Sequence, residues 1–436
     1  MRIQGLIPAF VIGGFVAGFS WGQTNTSRAI SISGKGSLEL GQLVDYQFRG
    51  ADHRRAWLSQ TKVQVTARKM ITPWLNVALG IEGSAWYETY DAFSNNPFVV
   101  PDQFFSFILH QSEAEISWGE LLHMELGLFP YKYNPDVRNL GEYVFRSGAY
   151  PGFLIGEFDF PLARLTGVRL SNHLFGTLDQ NLLLTLETQY KPFHDASLTY
   201  LAAYTPHPCA TIGGGISFSH LISVNENRTT PKTDGAWYIE DPDTLRNALG
   251  TDSLILGDTA YLTFRGIKIM ARFCFDVKKF FSISAFGPED FKLYGEAAVL
   301  GLKNYQLYYD TLAQRIPVMA GFNVPAFKLL DVFSLEAEWY GSPYPNNFWN
   351  AFSIQPEPRP IPVVTSSGYP ASAYRKDDWK WSVFARKTFA YSLSITTQFA
   401  RDHFRTRANN PYNVEREESL TKDEHWYWMI KFAYGF

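Results

Sequence analysis

Segments with two unlike faces recur along most of this chain. In TKVQVTAR, residues 61–68, the odd-numbered positions are Thr, Val, Val and Ala, whereas the even-numbered ones are Lys, Gln, Thr and Arg. The same alternation appears in QSEAEISW at 111–118 and in FSLEAEWY at 333–340. Because successive side chains of a β-strand point to opposite sides, each segment predicts a strand with one apolar and one polar face.

The chain closes on an aromatic strip, EHWYWMIKFAYGF, at 424–436. Its even-numbered positions from 426 onward are Trp, Trp, Ile, Phe, Tyr and Phe, so one face of the predicted strand is wholly apolar or aromatic. Such a strip would also suit the core of a soluble sandwich. It resembles the C-terminal targeting strand of Gram-negative outer-membrane β-barrels, which ends in Phe, here Phe436.

The other end of the chain has the pattern of a secretory signal. Met1 and Arg2 form a short basic start, and the uncharged run at 5–19 is shorter than the ~20 residues of a spanning helix. Ser20 and Gly22 lie three and one positions before a cleavage site ahead of Gln23. This predicts a signal peptide over 1–22 and a mature chain over 23–436. The alternative is an N-terminal membrane anchor.

Composition narrows the environment of the mature chain. No later segment approaches the ~20 consecutive apolar residues of a spanning helix, and mean hydropathy is -0.16, which excludes helical membrane spanning. Aromatic residues reach 16%, which suits the outer band and the girdles of a membrane barrel. A net charge of -3 gives no electrostatic footprint for nucleic acid. Cys209 and Cys274 cannot form a disulfide scaffold, and two separate thiols are preferred over a pair.

The alternating segments predict an all-β fold: a closed antiparallel transmembrane β-barrel of about 16 strands, within a range of about 14 to 18. Connections alternate between tight turns and long loops, which predicts short periplasmic turns and long extracellular loops. The predicted strand windows are 30–45, 57–69, 75–87, 104–118, 121–131, 163–172, 181–190, 196–205, 210–222, 259–275, 291–302, 315–324, 332–341, 378–388, 392–403 and 425–436.

The two unlike faces have a physical explanation in such a barrel. In hydrocarbon an unpaired backbone polar group costs several kcal/mol, so a sheet there has to close on itself. A cylinder of ~16 strands is too wide for side chains to fill, so its inner face meets water. A soluble fold would need helices to cover the apolar faces, and few helix-like segments remain. The charged residues predicted to line the interior are Lys62, Arg68, Glu113, Glu115, Lys268, Arg272, Glu336 and Glu338.

Over essentially all of its mature length the chain resembles a Gram-negative outer-membrane porin-like barrel. The resemblance rests on the strand ending at Phe436, the signal pattern ending at Gly22 and the repeated two-faced strands. It implies a water-filled passive channel in the bacterial outer membrane, surrounded by outer-membrane lipid and possible as a homotrimer. It also implies that the barrel assembly machinery binds the C-terminal strand, and that one long loop folds into the lumen.

The loop at 131–161 best matches that inward-folded loop. It follows the fifth predicted strand, is rich in Tyr, Phe and Gly, and carries both signs of charge. Its charged candidates for a constriction are Asp136, Arg138, Glu142 and Arg146. The alternative is an extracellular loop that packs on itself or on a neighbouring subunit.

The predicted function is passive diffusion of small hydrophilic solutes. The charges predicted to face inward nearly cancel, which favours neither an anion nor a cation pore, and sugars are weakly preferred over ions. No zinc spacing, P-loop or dinucleotide fingerprint occurs, so no enzyme activity, metal or cofactor is expected. The alternative is a surface binding, adhesion or structural barrel acting through the loops at 223–258 and 342–377, and an outer-membrane hydrolase is less favoured.

Overall fold

A computed structural model gives the fold. It describes residues 29–48, 51–86, 104–119, 122–146, 163–188, 194–222, 266–281, 284–302, 312–340, 379–389, 392–404, 420 and 423–436. In these residues sixteen β-strands, numbered in chain order, pair antiparallel with their neighbours, and β1 also pairs with β16. The sheet is therefore a closed barrel without an edge, as predicted.

The strands are β1 Ser31–Phe48, β2 Ala51–Thr72, β3 Leu75–Trp86, β4 Phe104–Trp118, β5 Leu122–Tyr131, β6 Ala163–Leu174, β7 Leu178–Leu186, β8 Ala196–His207, β9 Ala210–Ile222, β10 Gly266–Asp276, β11 Lys292–Val299, β12 Pro317–Asn323, β13 Val332–Tyr340, β14 Trp379–Thr388, β15 Leu393–Arg401 and β16 Trp426–Gly435. A single-turn helix, α1, spans Tyr143–Arg146, and 3-10 turns span Val277–Phe280 and Leu312–Arg315. Each predicted window overlaps one strand, and the β1–β2 hairpin extends well beyond its windows to the pair Phe48 and Ala51.

The barrel has a polar inner face and an apolar outer face. Along β13, Glu336 and Glu338 are buried, at 4% and 1% exposed, whereas Leu335 and Trp339 on either side of them are 41% and 40% exposed. A soluble sandwich would show the reverse, because its apolar residues form the core. Among the described residues, no helix is long and apolar enough to cross a membrane.

An irregularity in β4 keeps the apolar side chains outward along the whole strand. Gly80 of β3 lies opposite Gln111, but the next residue, Ile81, lies opposite Leu109, so His110 is an extra residue in β4. A bulge of this kind changes which alternate positions face outward. Phe107 and Leu109 before it are exposed on the outer face, and Gln111 after it is buried.

The two rims of the barrel are defined by strand direction. β1 begins and β16 ends at one rim, here called the terminal rim, where even-numbered strands end; odd-numbered strands end at the opposite rim. That the terminal rim faces the periplasm, with long loops opposite it, stays a prediction. The signal peptide at 1–22 and the loops at 223–258 and 342–377 lie outside the described residues. Both cysteines are free thiols, as preferred.

Candidate pore constriction

The connection after β5 crosses the inside of the barrel. Residues 132–143, here called the crossing segment, leave β5 at the opposite rim and reach β13, which lies eight strands away in the ring of sixteen. The hydroxyl of Tyr143 donates to Glu338 Oε2 at 2.8 Å, and the backbone N–H of Asn139 donates to Glu336 Oε2 at 2.8 Å. Since β5 and β13 are on opposite walls, the segment spans the lumen between them.

Glu336 of β13 holds the middle of the crossing segment. It accepts the consecutive backbone N–H groups of Arg138, Asn139 and Leu140 at 2.5, 2.8 and 2.9 Å. The hydroxyl of Tyr294 on β11 also donates to Glu336, at 2.9 Å. Backbone donors outside regular structure need partners when buried, and bonds to a carboxylate are stronger than neutral ones. One side chain of the wall thus fixes three residues of the segment.

Glu296 of β11 holds both ends of the crossing segment. Its Oε1 accepts from the Tyr133 hydroxyl at 2.5 Å and from the Tyr143 backbone N–H at 2.9 Å. Its Oε2 accepts from the Asn134 side-chain amide at 2.7 Å. The segment therefore starts and finishes on the same buried carboxylate.

Two titratable side chains of the crossing segment have strongly shifted pKa values. Burial, with the charge of Glu296 nearby, raises the pKa of Glu142 to about 8. Burial lowers the pKa of Lys132 to about 8, against the opposing effect of Glu142. The Glu142 carboxylate accepts from the Asn134 backbone N–H, and Lys132 donates to the Val137 carbonyl at 2.8 Å. Gly141 and Glu142 have φ of 90° and 62°, which turns the chain back toward the wall.

An apolar cluster inside the lumen supports these polar bonds. Leu140, Val144 and Phe145 lie in one buried cluster with Leu183 of β7 and Leu201 of β8. The inner wall is therefore not uniformly polar, contrary to the expectation from alternation. The sequence carried a signal for this patch: the run Leu182 to Leu184 places an apolar residue on both faces of β7.

Charged residues of the predicted loop pair with β11 and with the connection before it. Asp136 lies 3.7 Å from Lys292 of β11, and Arg138 donates to Glu289, in the connection before β11, at 2.5 Å. Burial opposes the ionisation of Glu289, but Lys292 and Arg138 beside it hold its pKa below the ordinary value. Arg146 is the last residue of α1. Residues 147–161 of the predicted loop lie outside the described residues.

Besides Glu336 and Glu338, two of the predicted wall residues lie near the crossing segment. Lys268 is buried and donates to the Val144 carbonyl at 3.3 Å, and Arg272 lies opposite Glu296 in the β10–β11 pairing. Neither Tyr133 nor Asn134 stands out in the sequence, because their bonds to Glu296 of β11 join residues more than 160 positions apart.

The remaining predicted residues lie on the wall formed by β2–β4. Lys62 is buried, 3.8 Å from Glu82 of β3, and Glu82 also accepts from Arg164 of β6 at 2.8 Å. Glu113 accepts from Gln111 at 2.6 Å. This wall carries both signs of charge and lies apart from the acidic residues that hold the crossing segment.

Two further wall candidates lie toward the terminal rim. Glu115 accepts from the side-chain amide of Asn76 at 3.0 Å. Arg68 is exposed and lies opposite Ser31, near the beginning of β1. Among the described residues, no group of three or more His, Cys, Asp or Glu side chains is arranged to hold a metal ion.

These features define a porin-like β-barrel: sixteen antiparallel strands in a closed ring, apolar outside and mainly polar inside, with an inward-folded connection after β5. OprB of Pseudomonas putida has this fold, with a TM-score of 0.50 at 10% identity over 94% of each chain. OmpF of Salmonella typhi, solved with daunomycin, aligns with a TM-score of 0.49 at 10% identity over 95% of this chain and 99% of its own. A triple mutant of Rhodopseudomonas blastica porin aligns with a TM-score of 0.43 at 8% identity over 94% of this chain and 100% of its own.

No protein-family model and no curated protein matches the sequence. The likeness to OprB at 10% identity therefore shows a common fold, and the residues that hold the crossing segment are described from this chain alone.

Proposed function

We propose that this protein is an outer-membrane channel through which small hydrophilic solutes diffuse passively. The observation that carries the proposal is the crossing segment, which spans a mainly polar lumen and is held by Glu296 and Glu336 of the far wall. An exposed apolar outer face supports a location in a bilayer, and a closed sheet suits that environment because it leaves no unpaired backbone group. The membrane in question is the bacterial outer membrane.

The crossing segment would narrow the passage, and the charged wall at β2–β4 would face the solute. Lys62 of that wall and Arg164 of β6 both pair with Glu82 of β3, so opposite charges lie together there. Selectivity in such pores depends on width and on the fixed charges along the wall. The channel should therefore discriminate weakly between anions and cations, and we retain sugars as the weakly preferred solutes. We propose no catalytic activity and no cofactor.

Two associations accompany this proposal. A homotrimer in outer-membrane lipid would leave part of the outer face against lipid and part against neighbouring subunits. The strand ending at Phe436, with its outward Trp and Phe side chains, would be the segment that the barrel assembly machinery binds. Both are open to chemical crosslinking in native membranes.

Recording in planar bilayers tests the function directly. Purified protein should insert and give stepwise increases in conductance, with a reversal potential near zero in a KCl gradient. Liposomes that contain the protein should swell in an isotonic monosaccharide solution. A folded, inserted barrel that never raises conductance would contradict the channel function, and conductance without swelling would contradict the preference for sugars alone.

A further inference from the structure

A second connection also enters the barrel. Asp402, His403 and Phe404 follow the end of β15 at the opposite rim, yet all three are buried, and Leu420 further along the same connection is fully buried. Phe404 and Leu420 lie in one apolar cluster with Leu43 of β1, Ala400 of β15, and Tyr427 and Met429 of β16. We call residues 402–404 with Leu420 the second inward segment.

The inner wall holds the second inward segment in a defined place. The hydroxyl of Tyr427 donates to Asp402 Oδ2 at 2.7 Å, and Gln398 of β15 donates to that hydroxyl at 2.7 Å. The rings of Phe404 and Tyr427 lie 5.2 Å apart. Lys380 of β14 donates to the Leu420 carbonyl at 3.4 Å. Contacts from three neighbouring strands thus direct this segment into the lumen.

The two inward segments are joined to each other. The side-chain amide of Asn139 in the crossing segment donates to Asp402 Oδ2 at 2.6 Å. Glu338 of β13 contacts both segments at once: its Oε2 accepts from the Tyr143 hydroxyl at 2.8 Å, and its Oε1 lies 2.6 Å from His403 Nε2. Because these groups are buried, releasing either segment would break these bonds at a cost in free energy.

From these contacts we infer that the constriction has two parts, and that the second inward segment closes the side of the lumen next to β13–β16 and β1. Glu338, Asn139 and Asp402 are positioning residues that hold the two parts together. They set the width of the passage through the bonds that join the two segments. The passage then runs along the wall of β2–β4, past Lys62 and Glu113. This inference rests on the proposed channel function.

Single-channel conductance tests the junction. Asn139→Ala removes the bond between the segments, and Asp402→Ala removes it together with the contact to Tyr427. Each should raise single-channel conductance, by roughly 1.5-fold. The conductance of the double variant should be only slightly higher than that of Asp402→Ala, because both changes remove the same bond. Asp331→Ala is the matched control, since Asp331 accepts from the Thr388 backbone N–H at 2.6 Å at the terminal rim and touches neither segment.

The outcomes separate this inference from the proposed function. If the native protein never conducts, the channel function fails, and this inference fails with it. Suppose instead that the native protein conducts, and that Asn139→Ala and Asp402→Ala have the same conductance as the native protein and as Asp331→Ala. The two-part constriction is then overturned, and the channel function stands.

A second measurement covers variants that fold poorly. Asn139→Cys with Asp402→Cys, in a background with Cys209→Ser and Cys274→Ser, should join through a short thiol-specific crosslinker. Crosslinking should lower conductance from the raised value of the unlinked variant. A folded barrel that fails to crosslink would contradict the junction.

Discussion

The ring of Phe436 lies in the space that a side chain on Gly34 would occupy, because a Cβ at Gly34 would overlap the ring. The two backbones also exchange hydrogen bonds of 2.9 Å in both directions. Gly34 and Phe436 thus meet at the seam where β1 and β16 close the barrel. A glycine is required at 34 because the aromatic ring packs directly on its backbone.

A side chain at residue 34 should weaken the seam. Gly34→Val has to displace the Phe436 ring, and overpacking of this kind costs about 1–3 kcal/mol in the free energy of unfolding. Gly36→Val is the matched control, because a Cβ at Gly36 meets nothing within 4 Å. Thermal unfolding in detergent, followed by circular dichroism, measures both. Equal melting temperatures for the two variants would contradict the packing argument.

Loss of the Glu336 carboxylate should release the crossing segment. Glu336→Ala leaves the backbone N–H groups of Arg138, Asn139 and Leu140 without their acceptor, at about 1–3 kcal/mol for each buried donor left unpaired. Leu140→Cys, in a background without the native cysteines, reports release, since Leu140 is fully buried. Its thiol should react with maleimide far faster when Glu336→Ala is added. Glu115→Ala, which removes a wall carboxylate away from the segment, should leave the rate unchanged.

The acidity of Glu142 predicts how stability depends on pH. Its pKa in the folded protein is about 8, above the ordinary 4.5, so the folded state keeps a proton that the unfolded chain loses. The free energy of unfolding should therefore fall as pH rises from about 4.5 through 8. Glu142→Gln should reduce this fall, by as much as about 4 kcal/mol at pH 8, while keeping an acceptor for Asn134. Melting temperatures at pH 5 and pH 8 test the difference.

The ionisation of Lys132 has the opposite effect on stability, over a higher pH range. Its pKa is about 8 in the folded protein and 10.5 ordinarily, so stability should be partly regained as pH rises from about 8 to 10.5. Lys132→Met should remove this recovery, which the same measurements at pH 8 and pH 10 detect. If the recovery of stability persists in Lys132→Met, a group other than Lys132 causes it.

A charged side chain on the outer face should destabilise the barrel where lipid covers that face. Leu79 within β3 is 55% exposed, and Leu329 in the connection between β12 and β13 at the terminal rim is 77% exposed. Lysine on the lipid-facing wall of a barrel costs about 2–4 kcal/mol near the middle of the bilayer and about 0–1 near its surface. Leu79→Lys should therefore destabilise the protein in phospholipid vesicles much more than Leu329→Lys. Similar unfolding midpoints in urea would contradict a membrane-spanning wall.

The strands were predictable because each carries its own alternating pattern. β4 and β9 begin and end at the predicted residues, and β3 differs by one residue at its end. The upper part of the β1–β2 hairpin lies outside the predicted windows, which stop at 45 and begin at 57, although the strands pair as far as Phe48 and Ala51. Local periodicity therefore predicts the wall and underestimates the height of this hairpin.

That the connection after β5 narrows a pore stays a prediction, and the contacts of residues 132–143 could not be read from the sequence. The length and aromatic content of 131–161 drew attention to this connection, but the partners of its described residues are distant in sequence. Tyr133 and Glu296 are 163 residues apart, and Asn139 and Asp402 are 263 apart. Nothing local marks Glu336 as the acceptor for three backbone N–H groups, because its strand has the same alternation as every other.

The same distances bear on how the molecule is made. The carboxylates that fasten the crossing segment, Glu296 and Glu336, lie in β11 and β13, and Asp402, which accepts from Asn139, follows β15. All three are synthesised long after the segment itself. During assembly an unfinished cylinder would hold an unfastened segment. The calibre of the pore thus depends on residues of the final third of the chain.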